Sequence, residues 1–243
     1  DVAKLYKLFA LELYEKNIVA GLLAVGYGCN GGNRVFECDW KKAEECMLAL
    51  IELDLRIPDK AYYANTLGYI YYYGRVNGGV PEHEKAYKYF SFAAFNGIYE
   101  AEYKIADMFM NGYGVIKSPA TARRMISKLY EENLDYIING RFNSKFADIA
   151  FRIGKGYKDE EYPYESDFDE MLYYYSQAAF AIRMRMLEAD NYGDSKVAKA
   201  IDDAINEVKE MIDFNNTYEF LKAIVISPQE IQLPFLYIFF NSS

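Results

Sequence analysis

Seven side chains offer the clearest means of recognition: Asn65, Tyr69, Tyr72 and Tyr73 in one stretch, Lys104 and Asp107 in the next, and Arg152 further along. Tyrosine and arginine remove large areas from water while losing little rotamer freedom, which is why they dominate binding hot spots. On a helix, Ala64, Leu67, Gly68 and Tyr71 share one side through their spacing of three and four, so Asn65, Tyr69, Tyr72 and Tyr73 fall on other faces. These residues are expected to contact a protein or peptide partner. The competing reading is that the tyrosines pad neighbouring helices.

Other patterns suggest chemistry and then fail to complete it. The single histidine, His83, stands between Glu82 and Glu84 with no serine, cysteine or metal set around it, and reads as a capping or surface residue. The acidic run Asp159, Glu160, Glu161, Glu165, Asp167, Asp169 and Glu170 has the oxygens for calcium but not the alternation or central glycine of an EF-hand loop, and reads as a solvated loop. Gly112-x-Gly114 and Gly154-x-Gly156, the second flanked by Lys155 and Lys158, follow no strand and read as glycines that end helices. Cys29, Cys38 and Cys46 crowd the first fifth of the chain. An odd count without a second metal-binding pair predicts reduced, buried thiols, with a Cys29–Cys38 bridge across a loop as the alternative. No nucleophile or cofactor fingerprint emerges, so the chain is expected to be no enzyme, with no catalytic residue, metal or cofactor.

The 243 residues carry a net charge of −9, which argues against non-specific binding to nucleic acid or an anionic membrane. Lys117 to Lys128, with Arg123 and Arg124, is the nearest basic cluster and reads as one solvated helix face. Asp1 to Lys16 mixes acids and bases unlike a secretory leader, and no stretch is apolar enough to span a bilayer, so a cytoplasmic setting is expected. The acceptor patterns Asn215-Asn216-Thr217 and Asn241-Ser242-Ser243 carry little weight without a secretory route. Tyrosine is abundant, 25 residues against one tryptophan, and suits half-buried surfaces.

The elements that position these residues repeat. Ala64 to Ala101 reads as helix, loop, helix: Leu67, Gly68, Tyr71 and Gly74, then Asn77-Gly78-Gly79-Val80, then Lys85-Ala86, Tyr89, Ala93-Ala94 and Asn96-Gly97. Gly68 and Ala94 permit close approach, and Gly74 and Gly97 sit where a left-handed residue closes a helix. Ile105, Ala106, Phe109, Gly112 and Gly114-Val115 restate the first half, with Ser118-Pro119 as N-cap and first-turn proline before Ala122, Met125 and Leu129. Ile149, Ala150, Ile153 and Gly156, then Met171, Tyr174 and Ala178-Ala179, form a further copy whose loop is expanded over 158–166. A worn first copy pairs Ala20-Gly21 and Asn30-Gly31-Gly32 with Leu67-Gly68 and Asn77-Gly78-Gly79, after a helix from Val2 to Val25 with Val2, Leu5, Phe9, Leu13 and Ile18 in phase. In that copy Asp39 caps a helix carrying Lys42-Ala43, Cys46 and Leu50.

The combination of Leu-Gly, Tyr, Gly, a Gly-Val loop, Lys-Ala, Tyr and Ala-Ala resembles Sel1-like repeats, relatives of the tetratricopeptide repeat, over roughly Ile18 to Tyr192. The resemblance implies an all-α, right-handed α/α superhelix of about four helix pairs, its first helices lining a concave surface, and a role as an adaptor that assembles other proteins. Residues 1–192 would form the array and 193–214 a capping helix, with 215–243 an apolar tail docked on the array or on a neighbour. The expected function is a scaffold holding a peptide or protein segment in a tyrosine-rich groove. The alternative is self-association through the tail.

Overall fold

Small residues set how closely the helices of this chain approach. In the computed structural model, which describes residues 2–141, 145–158, 167–188 and 193–226 with side chains through residue 219, the described residues form ten helices and no strand. They are α1 (Val2–Glu15), α2 (Val19–Gly31), α3 (Trp40–Glu52), α4 (Ile57–Tyr72), α5 (His83–Phe95), α6 (Tyr99–Asn111), α7 (Pro119–Ile138), α8 (Phe146–Lys158), α9 (Phe168–Glu188) and α10 (Asp194–Ile226). Contact is closest within the hairpins α2/α3, α4/α5, α6/α7 and α8/α9, each stacked on the next, with α1 and α10 at the two ends. This is the expected α/α superhelix. First helices also approach one another, as α4 does α6.

Three of the four hairpins close on the same device, a side chain of the second helix pressed on a glycine of the first. The ring of Phe90 on α5 lies where a Cβ on Gly68 would stand, the ring of Tyr175 on α9 does so at Gly154, and Cys46 and Met47 on α3 do so at Gly26. A ring pressed on a helix backbone leaves no room for even a methyl group. The buried partner in the central hairpin is thus Phe90 rather than Tyr89, and Ala93 is buried more deeply than Ala94.

This register corrects two of the copies. The backbone N–H of Asp39 donates to Cys29, that of Glu82 to Tyr71 and that of Ser118 to Phe109, so Cys29 stands where Tyr71 and Phe109 stand in their hairpins. The counterpart of Leu67-Gly68 in the first hairpin is therefore Val25-Gly26, and Gly21 serves another contact, pressing against the backbone of Leu13 and Tyr14. In α8 the counterpart is Ile153-Gly154, one turn beyond Ile149-Ala150. Gly154 and Gly156 lie buried within α8 rather than ending a helix, while Gly112 closes α6 in the left-handed conformation.

The single helix expected from Val2 to Val25 is broken at Asn17, whose φ of 54° ends α1. Ile18 N–H donates to Leu13 there, as Ile98 N–H does to Ala93 beyond Gly97, so Asn17 does the work of Gly97. Val2, Leu5 and Phe9 point outward, Val2 being 85% exposed, because α1 stands at the end of the array and packs chiefly on α2, burying Ala10. Asp39 caps α3 as expected, accepting from Lys42 N–H at 3.0 Å. Ser118 stands at the N-cap position of α7 but gives its hydroxyl to Thr121 Oγ1 instead. The capping helix, expected over 193–214, continues as α10 to Ile226, burying Ile201 and Val208 at the end of the array. Residues 227–243, most of the expected docking tail, and 159–166 of the acidic loop lie outside the described residues. Asp167 is described, and accepts from the N–H groups of Asp169 and Glu170 as the cap of α9.

Candidate functional site

The inclined packing of first helices carries a continuous set of polar contacts from α4 through α6 to α8. On α4, Asn65 donates to Glu100 Oε2 at 3.2 Å, and the hydroxyls of Tyr69 and Tyr103 meet at 2.8 Å. Lys104, on α6 and only 5% exposed, lies among four tyrosine rings: its Nζ is 4.7 Å from the centroid of Tyr72, 5.2 Å from Tyr103, 5.4 Å from Tyr73 and 5.7 Å from Tyr69. An ammonium surrounded by ring faces recovers part of the hydration it loses on burial. The Lys104 ammonium also donates to the Tyr73 hydroxyl at 3.3 Å and to Asp107 at 3.4 Å. Arg152 on α8 then grips Asp107 with Nε and Nη2, each at 2.6 Å, while its Nη1 donates to the Asp148 carbonyl.

The structure thus brings Tyr69, Tyr72, Tyr73, Lys104, Asp107 and Arg152 into one connected cluster and places Asn65 at its edge. Their exposure differs. Asn65 and Lys104 are buried, Tyr69 is half-buried, and Tyr73 keeps 47% of its surface. Burial pushes the Tyr69, Tyr72 and Tyr103 hydroxyls well above the ordinary phenol value, so they remain protonated donors at neutral pH. Burial also opposes ionisation of Asp107, but Arg152 and Lys104 outweigh it and hold the carboxyl below its usual range.

Alongside this cluster α6, α7 and α8 enclose a cleft of about 420 Å³, lined by Tyr72, Asp107, Tyr113, Arg123, Phe151, Arg152 and Lys155 among others. His83, the first residue of α5, stacks on Tyr113 with ring centroids 4.3 Å apart and the planes 13° from parallel. Desolvation lowers its pKa. Gly114 makes that approach possible, since a Cβ there would stand 2.6 Å from the His83 backbone carbonyl. Sequence reasoning missed Tyr103, Tyr113, Arg123 and Lys155 as members of this region. Tyr103 was within reach, being the counterpart of Asn65 one repeat on.

Away from this face, Cys29 and Cys46 are buried and Cys38 is exposed, all as free thiols, so the expectation of burial fails for Cys38. Burial pushes the Cys46 thiol up to about 12, which keeps it protonated. Among the described residues, no group of three or more His, Cys, Asp and Glu side chains stands close enough to hold a metal ion, and no helix is long and apolar enough to cross a membrane.

No protein-family model and no curated protein matches the chain. Solved structures do. A protective antigen present in uropathogenic Escherichia coli strains, displaying an SLR fold, aligns at 17% identity over 84% of this chain and 43% of its own, with a TM-score of 0.52. A Sel1 repeat protein from Oxalobacter formigenes aligns at 19% identity over 72% of this chain and 63% of its own, with a TM-score of 0.50. The chain spans less than two thirds of either neighbour. At such identities the likeness concerns the fold.

Proposed function

We propose that this chain, a Sel1-like right-handed α/α superhelix by fold, is a non-enzymatic interaction scaffold that holds a protein or peptide segment along the inner face of α4, α6 and α8. One observation carries the reading: the hydrogen-bonded cluster from Tyr69 to Arg152 fixes its members on the first helices of three successive hairpins, while Tyr73 and Tyr113 keep exposed ring surface beside it. Rings already held in place lose little further freedom on binding, so the area they bury is not offset by ordering. Phenols held protonated and a carboxylate engaged by two cations suit recognition better than proton transfer. The adaptor role that Sel1-like repeats imply fits this surface.

The test is affinity capture from a native lysate with mass spectrometry, using the intact chain and the double substitution Tyr73→Ala/Tyr113→Ala. Both positions are exposed, so the circular dichroism melt should move by only a few degrees while capture of specific partners falls at least tenfold. Capture that persists undiminished with both rings removed would show that the partner sits elsewhere.

A further inference from the structure

We infer that Cys29 and Cys38 form a reactive dithiol, a modification site at which a small-molecule disulfide is reduced and the two thiols are joined across the loop between α2 and α3. All three cysteines are free thiols in this structure, but Cys38 is exposed while Cys29 and Cys46 are buried. The backbone N–H of Asp39 donates to the Cys29 carbonyl at 2.9 Å. In a trans peptide the preceding Cα lies on the same side as that N–H, so the Cys38 Cα stands within about 6.5 Å of the Cys29 Cα, inside the range a disulfide spans. Both residues also line one cleft of about 480 Å³, with Leu11, Phe36 and Trp40, through which a small disulfide can approach. The loop between them is braced. Asn33 N–H donates to the Phe36 carbonyl, the Asn33 side chain accepts from the N–H groups of Val35 and Phe36, each at 2.8 Å, and the Phe36 ring lies where a Cβ on Gly28 would stand. Two thiols already held near one another react as if at high concentration.

The exposed thiol reacts first. The Cys38 thiolate attacks one sulfur of the small disulfide, forming a mixed disulfide and releasing one thiolate. Cys29, once deprotonated, attacks the Cys38 sulfur and expels the second thiolate. The chain is thereby oxidised by two electrons, the small disulfide is reduced to two thiols, and the two protons given up by the cysteines pass through solvent to those thiolates. Cys46 takes no part. Its Cβ is packed 2.8 Å from the Cβ position of Gly26, and burial pushes its thiol up to about 12. Burial and the neighbouring Asp39 raise the Cys29 thiol as well, which suits it to the second, intramolecular step rather than the first.

Mass spectrometry of the full chain, incubated under native conditions with oxidised glutathione, tests this. The wild type should lose two hydrogens, carry the glutathione adduct on no more than about a tenth of the chain, and yield a linked Cys29–Cys38 peptide on digestion without reductant. Cys29→Ala should stop at the adduct on Cys38, Cys38→Ser should take neither adduct nor bridge, and Cys46→Ala should bridge as the wild type does. Dithiothreitol should reverse each product. The wild-type digest identifies the pair without any substitution in the core. A wild type that keeps the adduct on Cys38 overturns the dithiol, as does a chain left unmodified, a bridge to Cys46, or a bridge between two chains.

Discussion

Arg152 reaches Asp107 through two parallel hydrogen bonds of 2.6 Å, both partners largely buried, and that fork joins α8 to α6. Replacing Asp107 with Asn keeps the shape and removes the charge, leaving Arg152 and Lys104 without their anion. A charge-assisted pair of this kind contributes about 2 kcal/mol, so Asp107→Asn should lower the thermal midpoint by about 4–8 °C. The pH dependence follows from the carboxyl being held below its ordinary 3.8 in the folded chain. The unfolded chain then binds its proton first as pH falls, so the contribution is complete above 3.8 and is lost as pH drops through the folded value. The gap between wild type and Asp107→Asn should therefore be full near neutral pH and close in acid, read by circular dichroism melts across that range. A constant gap would mean the substitution acts through packing. The sequence placed Asp107 and Arg152 on corresponding helices because the repeat fixes which face each occupies. It gave no sign that they bond each other, since the inclination between helices decides which rows meet. Arg185, gripping Asp194 at 2.8 Å and Asp148 at 3.1 Å, escaped notice for the same reason.

Between elements, the decisive contact is a ring lying on a glycine. Gly68→Ala and Gly154→Ala would each set a methyl 2.5 Å from ring atoms of Phe90 or Tyr175, side chains with no free space to retreat into. Alanine favours the helix by about 1 kcal/mol, while overpacking costs about 1–3 kcal/mol, so both substitutions should be net destabilising by about 1 kcal/mol in urea unfolding. Gly31→Ala, with nothing within 4 Å of its added methyl, should be neutral or better. Phe90→Leu should recover part of the loss in Gly68→Ala, a coupling that a cavity or propensity effect alone does not produce. If Gly68→Ala proves stabilising, ring contact does not set this spacing. The same contact explains why two registers were misread from sequence. Ala150 and Gly154 are both small and one turn apart, so helical periodicity fits either, and only the ring of Tyr175 chooses between them. In the first copy Gly21, Gly26, Gly28, Gly31 and Gly32 offer several phases, and the choice of Gly26 depends on Met47 across the hairpin. The second helices, with Ala43 and Ala86 buried in matching places, kept their register because few small residues compete there.

Over the whole molecule, contact passes from each helix to its near neighbours, so stability is a chain of local interfaces rather than one shared core. The buried apolar residues divide accordingly, one cluster running from Ala10 to Met108 and three smaller ones covering α6 to α10. The architecture was legible because hairpins repeat in sequence; where the array ends was less so, since an end is defined by what stops packing on it. α10 closes one end by burying Ile201 against Ala178, Ala181 and Ile182 and Val208 against Met171 and Tyr175. Removing residues from Asp194 onward uncovers that surface and takes the Asp194 carboxylate from the buried Arg185, which keeps its ion pair with Asp148. The loss is local in a linear array, so hydrogen exchange by mass spectrometry should show amides of α8 and α9 exchanging at least tenfold faster while those of α2 to α5 keep wild-type protection. A single-domain core would respond differently, with protection falling by one factor throughout. Uniform loss across α2 to α9 in the truncated chain would therefore refute the linear array, and full retention in α9 would show that α10 caps nothing.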